Sequence, residues 1–426
     1  MLRLFLLQLA GLFLPCSSLS AMIYNEDRSQ RIFDVTAFGA EGDGVADDTA
    51  AFQRTFDALA QAGSGRLFIP TGIFRITKTV NCERCTGLFS VTGDGPGSVL
   101  LWEVDETLLE FDSKNPLGMV TIADFTVASV GAIKSAMSTA FAFPAGLVKS
   151  QIENVQLIGA GGLPVGNVSS TVPIGSGFDL GNVTDTVAIR NCLLWFGSGT
   201  GVKIGRGSEV RIIGGRFIGT KNDGGPKSSI GLHVTGNNGG VHVTTTDVIS
   251  WGTGLQLDQS NGQGSNREIF LSHATLDSNQ RGLAVFDSSY VSVAGIWAAS
   301  SDFDNIWTHP DSNPQLTIAG GTIFNAGAVG GDCEHDQCNG ITVNAGTFVM
   351  SGVEVRNNKG NGIWTPSNRT TGYVISGCRV VDNGAGARLS GENFVVTGNV
   401  FSDNTVVNIE LYQPSSAHVV ANNVGV

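Results

Sequence analysis

Gly231-Leu232-His233-Val234, Gly254-Leu255-Gln256-Leu257 and Gly282-Leu283-Ala284-Val285 are three copies of one phrase: a Gly, an apolar residue, a residue of any kind, and usually a second apolar residue. The phrase recurs with Gly or Asn in front of apolar anchors at Phe178, Val202, Leu232, Leu255, Leu283, Ile306, Ile341, Ile363, Ala387 and Ile409. Successive anchors are 24, 30, 23, 28, 23, 35, 22, 24 and 22 residues apart, too short for a propeller blade and too strand-like for helical repeats. Between them runs a second strand-like text, including Val210-Arg211-Ile212-Ile213, Val241-His242-Val243, Ile269-Phe270-Leu271 and Phe348-Val349-Met350. Each period therefore carries at least two strands, and each copy can bury its apolar positions only against its neighbours. That predicts one coil of a β-solenoid per copy. The Gly or Asn before each anchor is expected to supply a positive-φ corner, which would account for 58 glycines in 426 residues. The three long intervals place insertions at residues 219 to 229, 258 to 266 and 325 to 339.

With 41% hydrophobic and 15% charged residues, the chain is too apolar to stay disordered. Its net charge of -12 is spread along the sequence, which argues against general attraction to nucleic acid or to an anionic membrane. Residues 1–20 combine Arg3, an apolar run from Leu4 to Leu14 and small residues at Ser18 and Ser20, the layout of a secretory signal peptide. Its removal takes one base and no acid, leaving 24 basic against 37 acidic residues, or -13. Residues 21–30 then form an N-terminal extension, and the expected location is extracellular or periplasmic. Six cysteines remain after the leader, an even number that favours disulfides in an exported protein. Cys333 pairs most simply with Cys338 and Cys82 with Cys85, while Cys192 and Cys378 lie in strand-like text. Zinc at Cys82-x-x-Cys85 lacks a second ligand pair.

Ahead of the coils, Asp47-Asp48-Thr49 offers helix capping, and Phe52, Phe56, Leu59 and Ala60 fall on one helical face before Gly63. Such a helix would close one end of the solenoid. The stretch Asp34-Val35-Thr36-Ala37-Phe38-Gly39-Ala40, the turn Gly42-Asp43-Gly44, this helix, and Gly65-Arg66-Leu67-Phe68-Ile69-Pro70 resemble the N-terminal segment of the pectate lyase superfamily. The resemblance implies an all-β fold, a single-stranded right-handed parallel β-helix with a short N-terminal capping helix, over residues 31–426. It implies action on polysaccharides but not the reaction, because lyases, hydrolases, epimerases and phage tailspike depolymerases share the fold.

Strand alternation turns the residue after each anchor outward. The first outward row is Asp179, Lys203, His233, Gln256, Ala284, Trp307, Thr342, Trp364, Arg388 and Glu410, and a second row two residues on includes Thr235, Asp258, Phe286 and His309. Asp179, Gln256, Trp307, Trp364 and Arg388 are the candidate substrate-binding residues, the two tryptophans as platforms for sugar rings. Lys203, His233 and Asp258 lie on three consecutive coils: a cation for a uronate carboxylate, an imidazole that takes a proton, and a carboxylate that orients it. His309 is a second candidate base. A solvated strand face with unrelated charges would carry some such residues too.

A lyase or epimerase removes the proton α to a carboxyl group and needs the resulting charge neutralised. Hydrolysis needs two carboxyl groups, and Asp258 with Asp302 or Asp304 is the available set. No Asn-Thr-Asp, Gly-His-Gly or Arg-Ile-Lys motif marks the chain as a polygalacturonase. A non-catalytic carbohydrate-binding solenoid is the third class. No cofactor is firmly implied, although Asp332, Glu334, His335 and Asp336 beside Cys333 and Cys338 could hold Ca²⁺. The expected partner is a polysaccharide, with no nucleic acid or membrane, and the sequence leaves the oligomeric state open.

Overall fold

The computed structural model describes residues 31–132, 134–159, 171–259, 264–287, 289–327, 333, 337–414 and 417–426. The expected leader, the N-terminal extension and the candidate Ca²⁺ ligands 332, 334, 335 and 336 lie outside them. Thirteen parallel strands stack in chain order on one face, from Val80–Asn81 to Ile409–Pro414, and these carry the anchors. We call this the anchor face. It begins three coils earlier than the Gly-led phrase, with Val80–Asn81, Leu109–Glu110 and Thr139–Ala142 preceding Ser176–Asp179.

Each coil has two further faces. The second holds Arg206–Ile213, Asn238–Thr244, Ile269–Ser272 and their equivalents, which are the strands expected between anchors. The third holds Arg216–Gly219, Asp247–Ile249, Thr275–Asp277 and Glu354–Arg356. A left-handed corner turns the second face into the third in successive coils: Asn191, Gly214, Thr245, His273, Gly295, the pair Gly320 and Gly321, Gly352, Gly377 and Gly398. With every pairing between the described strands parallel and one isolated antiparallel bridge at Val130 and Thr171, the coils close as the expected all-β, right-handed β-helix.

None of the ten Gly and Asn residues before the anchors has a positive φ, so the expected corner role is corrected. Their constraint is space. A Cβ on Gly201 would stand 2.4 Å from the Gly231 carbonyl oxygen, one on Gly231 2.6 Å from that of Gly254, and one on Gly362 2.6 Å from that of Gly386. Where each strand enters the anchor face, the backbone of the next coil fills the place of a side chain. Glycine is kept because the coils touch there.

Leu232, Leu255, Leu283, Ile306, Ile341 and Ile363 are fully buried and form one continuous apolar core with the inward residues of the other faces. Like residues stack coil upon coil. Phe348, Tyr373 and Phe394 lie nearly parallel with ring centroids 4.8 and 4.7 Å apart. At one corner Asn358 donates to Asn383 at 2.9 Å and Asn383 to Asn404 at 3.0 Å, while backbone groups take up the rest of their bonding capacity. A parallel column runs Asn361 to Asn339 (2.8 Å) to Asp304 (3.0 Å). These columns let the chain turn sharply without leaving buried amides unpaired.

The helix Thr49–Ala62 covers the N-terminal end with Phe52, Phe56 and Leu59 buried, and stops at left-handed Gly63. Asp47 accepts from the Thr49 amide, whereas Asp48 turns back to the amides of Glu41 and Gly42. Among the described residues no helix is long and apolar enough to cross a membrane. Cys82–Cys85 and Cys333–Cys338 are disulfides; Cys192 and Cys378 are free and buried, and burial raises both thiol pKa values, that of Cys192 to about 12.

Two predictions follow from this packing. Gly362→Ala should destabilise the protein by about 1–3 kcal/mol, because its Cβ meets backbone, whereas Gly239→Ala, which faces open space, should be neutral. Equal melting temperatures for the two variants would refute the close-contact account. Burial is the largest influence on Asp304 and raises its carboxyl pKa from 3.8 to about 6. A raised acid pKa contributes stability below pH ~4 that is lost as pH rises through about 6. Asp304→Asn removes that loss, so the variant should gain on the wild type by on the order of 2 kcal/mol between pH 4 and 7. A constant stability difference across that range would show that Asp304 stays ionised.

Candidate functional site

The outer surface of the anchor face carries one unbroken line of paired positions. Asp179 pairs with Lys203, Lys203 with His233, His233 with Gln256, Gln256 with Ala284, and Ala284 with Trp307. Beyond Trp307 the line continues through Thr342, Trp364, Arg388 and Glu410. Ala284 and Thr342 are buried, so the polar and aromatic parts of the line are separate patches.

In the polar patch, His233 Nε2 lies 2.8 Å from Asp258 Oδ2, and Gln256 Nε2 donates to the same oxygen at 2.7 Å. The two side chains of the pair are 14% and 13% exposed, which limits the water that competes for the bond. Asp258 reaches this position because it ends the strand Thr253–Asp258 one coil beyond His233 and two residues past Gln256. With Nε2–H donated to the carboxylate, Nδ1 carries the lone pair and has no partner among the described residues. Lys203 Nζ donates to Asp179 Oδ2 at 3.1 Å, and the Gly181 amide donates to Asp179 Oδ1 at 2.9 Å. This ion pair is half exposed. Lys203 Nζ keeps N–H donors beyond the one it gives Asp179.

Behind Asp258 a buried network fixes the end of its strand. Asn266 donates from its amide and its side chain to Asp287 at 2.9 Å, and receives a bond from Asn238. Desolvation raises the Asp287 carboxyl pKa despite bonds from Ser289 and Asn266.

The aromatic patch is denser than the spacing of two tryptophans suggests. Trp307 meets Phe286 edge-on with centroids 5.2 Å apart and His309 at 5.6 Å, and the Arg281 guanidinium carbon lies 4.7 Å from its ring centroid. His309 Nδ1 accepts from the Asp311 amide at 3.1 Å, so this imidazole is committed to its own turn. Trp364 stands two coils away and is half-buried. Arg388 is paired with Glu410 at 2.8 Å.

The carboxylates proposed for hydrolysis do not meet. Asp258 ends its strand, whereas Asp304 precedes Ile306–Thr308 and falls level with Arg281 and Thr253 at the opposite end of the face. Five residues along a strand span about 16 Å before the two coils are counted, so the expected separation of about 9.6 Å is corrected. Asp302 forms a buried ion pair with Lys221 at 2.7 Å. Asp304 accepts from the Asn339 amide and side chain within its corner column. Both carboxylates are engaged away from Asp258.

Arg281, Phe286 and the Asn238–Asn266–Asp287 network were not picked out among the candidates. Arg281 lies two residues before its anchor, where strand alternation wrongly points inward; Thr253 and Ile230, its partially exposed equivalents one and two coils back, carried no charge to draw notice.

Residues 32–98 match the family model described as rhamnogalacturonase A/epimerase, pectate lyase-like. Mannuronan C5-epimerase AlgE1 of Azotobacter vinelandii is 35% identical over 95 residues, which cover 21% of this chain and 6% of that protein. Alginate lyase 7 of the same organism is 44% identical over 45 residues, 11% of this chain and 5% of that protein. The matched segments thus span a small fraction of these relatives. Over the whole fold, the A-module of A. vinelandii mannuronan C-5 epimerase AlgE4 superposes with a TM-score of 0.59 at 14% identity, covering 91% of this chain and 99% of that module. At that identity the likeness is one of fold. The stacked parallel coils give this chain the fold of a right-handed parallel β-helix, and residues 32–98 carry a segment similar to the pectate lyase-like family model.

Proposed function

We propose that the protein is a lyase or epimerase acting on a uronate-containing polysaccharide, bound along the anchor face. The observation that carries this reading is the His233–Asp258 pair, with Lys203 directly beside His233 on the preceding coil. The names of the N-terminal relatives, mannuronan C5-epimerases and an alginate lyase, support the same substrate class.

In this reading a uronate unit sits with its carboxylate toward Lys203 and its C5 hydrogen toward His233 Nδ1. The imidazole takes that proton, Asp258 stabilises the imidazolium through Nε2–H, and the electron pair left on C5 delocalises into the carboxyl group beside the Lys203 ammonium. Reprotonation of C5 from the opposite side of the ring gives the epimer. Expulsion of the C4 glycosidic oxygen as the C4–C5 double bond forms gives the lyase product, with a proton required at the departing oxygen. Gln256 holds Asp258 in line by sharing its Oδ2. Export through the leader at residues 1–20 belongs to the same proposal and suits the two disulfides.

His233→Ala should lower kcat on a polyuronate by about 10²–10⁴-fold with KM changed only slightly, since proton transfer is used in the transition state alone. Lys203→Ala should lower kcat and raise KM together, because the ammonium meets the carboxylate before and during reaction. Near-ultraviolet absorbance detects the unsaturated lyase product, proton NMR of the polymer detects epimerisation, and reducing-end release without either signal marks hydrolysis. Wild-type kcat in both variants would overturn the assignment, and polymer binding with no product of any kind would leave a carbohydrate-binding solenoid.

A further inference from the structure

Arg281 begins the strand Arg281–Val285 on the anchor face and has no part in the chemistry above. The other cations nearby are matched with acids: Lys203 with Asp179, Lys221 with Asp302 and Arg388 with Glu410. Arg281 forms neither an ion pair nor a side-chain hydrogen bond with any described residue, and its Nε is buried without an acceptor. Asp304 on the next coil is level with it and attracts the guanidinium, but the two make neither an ion pair nor a hydrogen bond, and the Asp304 carboxyl accepts from Asn339 instead. Two aromatic rings hold the guanidinium instead, Trp307 at 4.7 Å and Phe303 at 5.4 Å from its central carbon.

A partly desolvated guanidinium with an unmet donor is a costly group to keep unless an anion completes it. Its planar fork matches a carboxylate edge, and the flanking rings fix the plane of that fork before a ligand arrives. Position gives the ligand. Arg281 lies three residues along the strand and two coils from His233, about 14 Å away, and shares Trp307 with the exposed Phe286 edge of the aromatic patch. We propose that Arg281 binds the carboxylate of a second uronate unit, remote from the reacting one, and so selects acidic polymer over neutral. This inference rests on the uronate reading of the face.

The test compares wild type, Arg281→Met and Arg281→Lys on a polyuronate and on the same polymer with its carboxyl groups reduced to alcohols. Affinity is read by calorimetry, and KM and kcat are read where turnover occurs. Arg281→Met should weaken polyuronate binding by about 10- to 100-fold, with the effect on KM exceeding that on kcat. Arg281→Lys should recover only part of it, and neither change should alter binding of the reduced polymer. Melting temperatures should change little, because the guanidinium makes no hydrogen bond or ion pair with the described residues and a Met side chain keeps the packing against Trp307 and Phe303. Equal weakening on both polymers, or wild-type affinity in Arg281→Met, would overturn the proposal. If His233→Ala keeps full turnover while Arg281→Met loses only acidic-polymer affinity, the chemistry assigned to His233 fails and the carboxylate site stands.

Discussion

Contact between the backbones of successive coils governs the rest of this structure. Parallel strands stack at ~4.8 Å, and every residue on a face therefore has a fixed partner in the coil above and below. Small departures in chain length between anchors are absorbed in loops, so the register survives intervals from 22 to 35 residues. The glycines at Gly201, Gly231, Gly254, Gly282, Gly362 and Gly386 keep the coils in contact where a Cβ would wedge them apart. The Asn358–Asn383–Asn404 and Asn361–Asn339–Asp304 columns do the corresponding work for polar groups at the corners. The same register places Lys203 beside His233 and His233 beside Gln256.

Much of this was legible because each anchor is a single strongly apolar residue behind a Gly or Asn. The strands between anchors were equally plain, with runs such as Val210-Arg211-Ile212-Ile213. The third face was not, since Asp247–Ile249, Thr275–Asp277 and Glu354–Arg356 are three residues long and bury one apolar side chain each. A pattern of period two cannot be recognised in three residues. The three coils before Ser176 were missed for a related reason: Leu109 and Phe141 serve as anchors there without the preceding glycine. The role of the glycines was misread because a left-handed turn and a close backbone approach both select glycine, and only the packed coils tell them apart.

The outward row could be written from alternation alone, and the structure pairs it residue by residue. What alternation omits is the ends of strands. Asp258 and Asp304 were taken as neighbours because coils were counted and positions along the strand were not. Arg281 escaped because alternation from Leu283 points it inward, whereas its guanidinium lies against Trp307 and Phe303. The His233–Asp258 pair survived this difficulty since the exit end of the strand keeps its register through Thr235 and Asp258.

Charge on the anchor face follows one logic. Along the face from Asp179 to Asp304, Asp304 is bonded into a corner and Asp179, Asp258 and Asp302 are each paired with a base. An anionic polymer thus meets Lys203 and the guanidinium of Arg281 across a surface whose carboxylates are already engaged. The central claim is that His233 removes the proton from C5 of a uronate unit. Its most direct measurement follows a polyuronate carrying deuterium at C5 as the protein turns it over in ordinary water. The account predicts loss of deuterium from every C5 that reacts, whether the outcome is epimerisation or elimination, and none with His233→Ala. Chain cleavage with the label retained at C5 would contradict it.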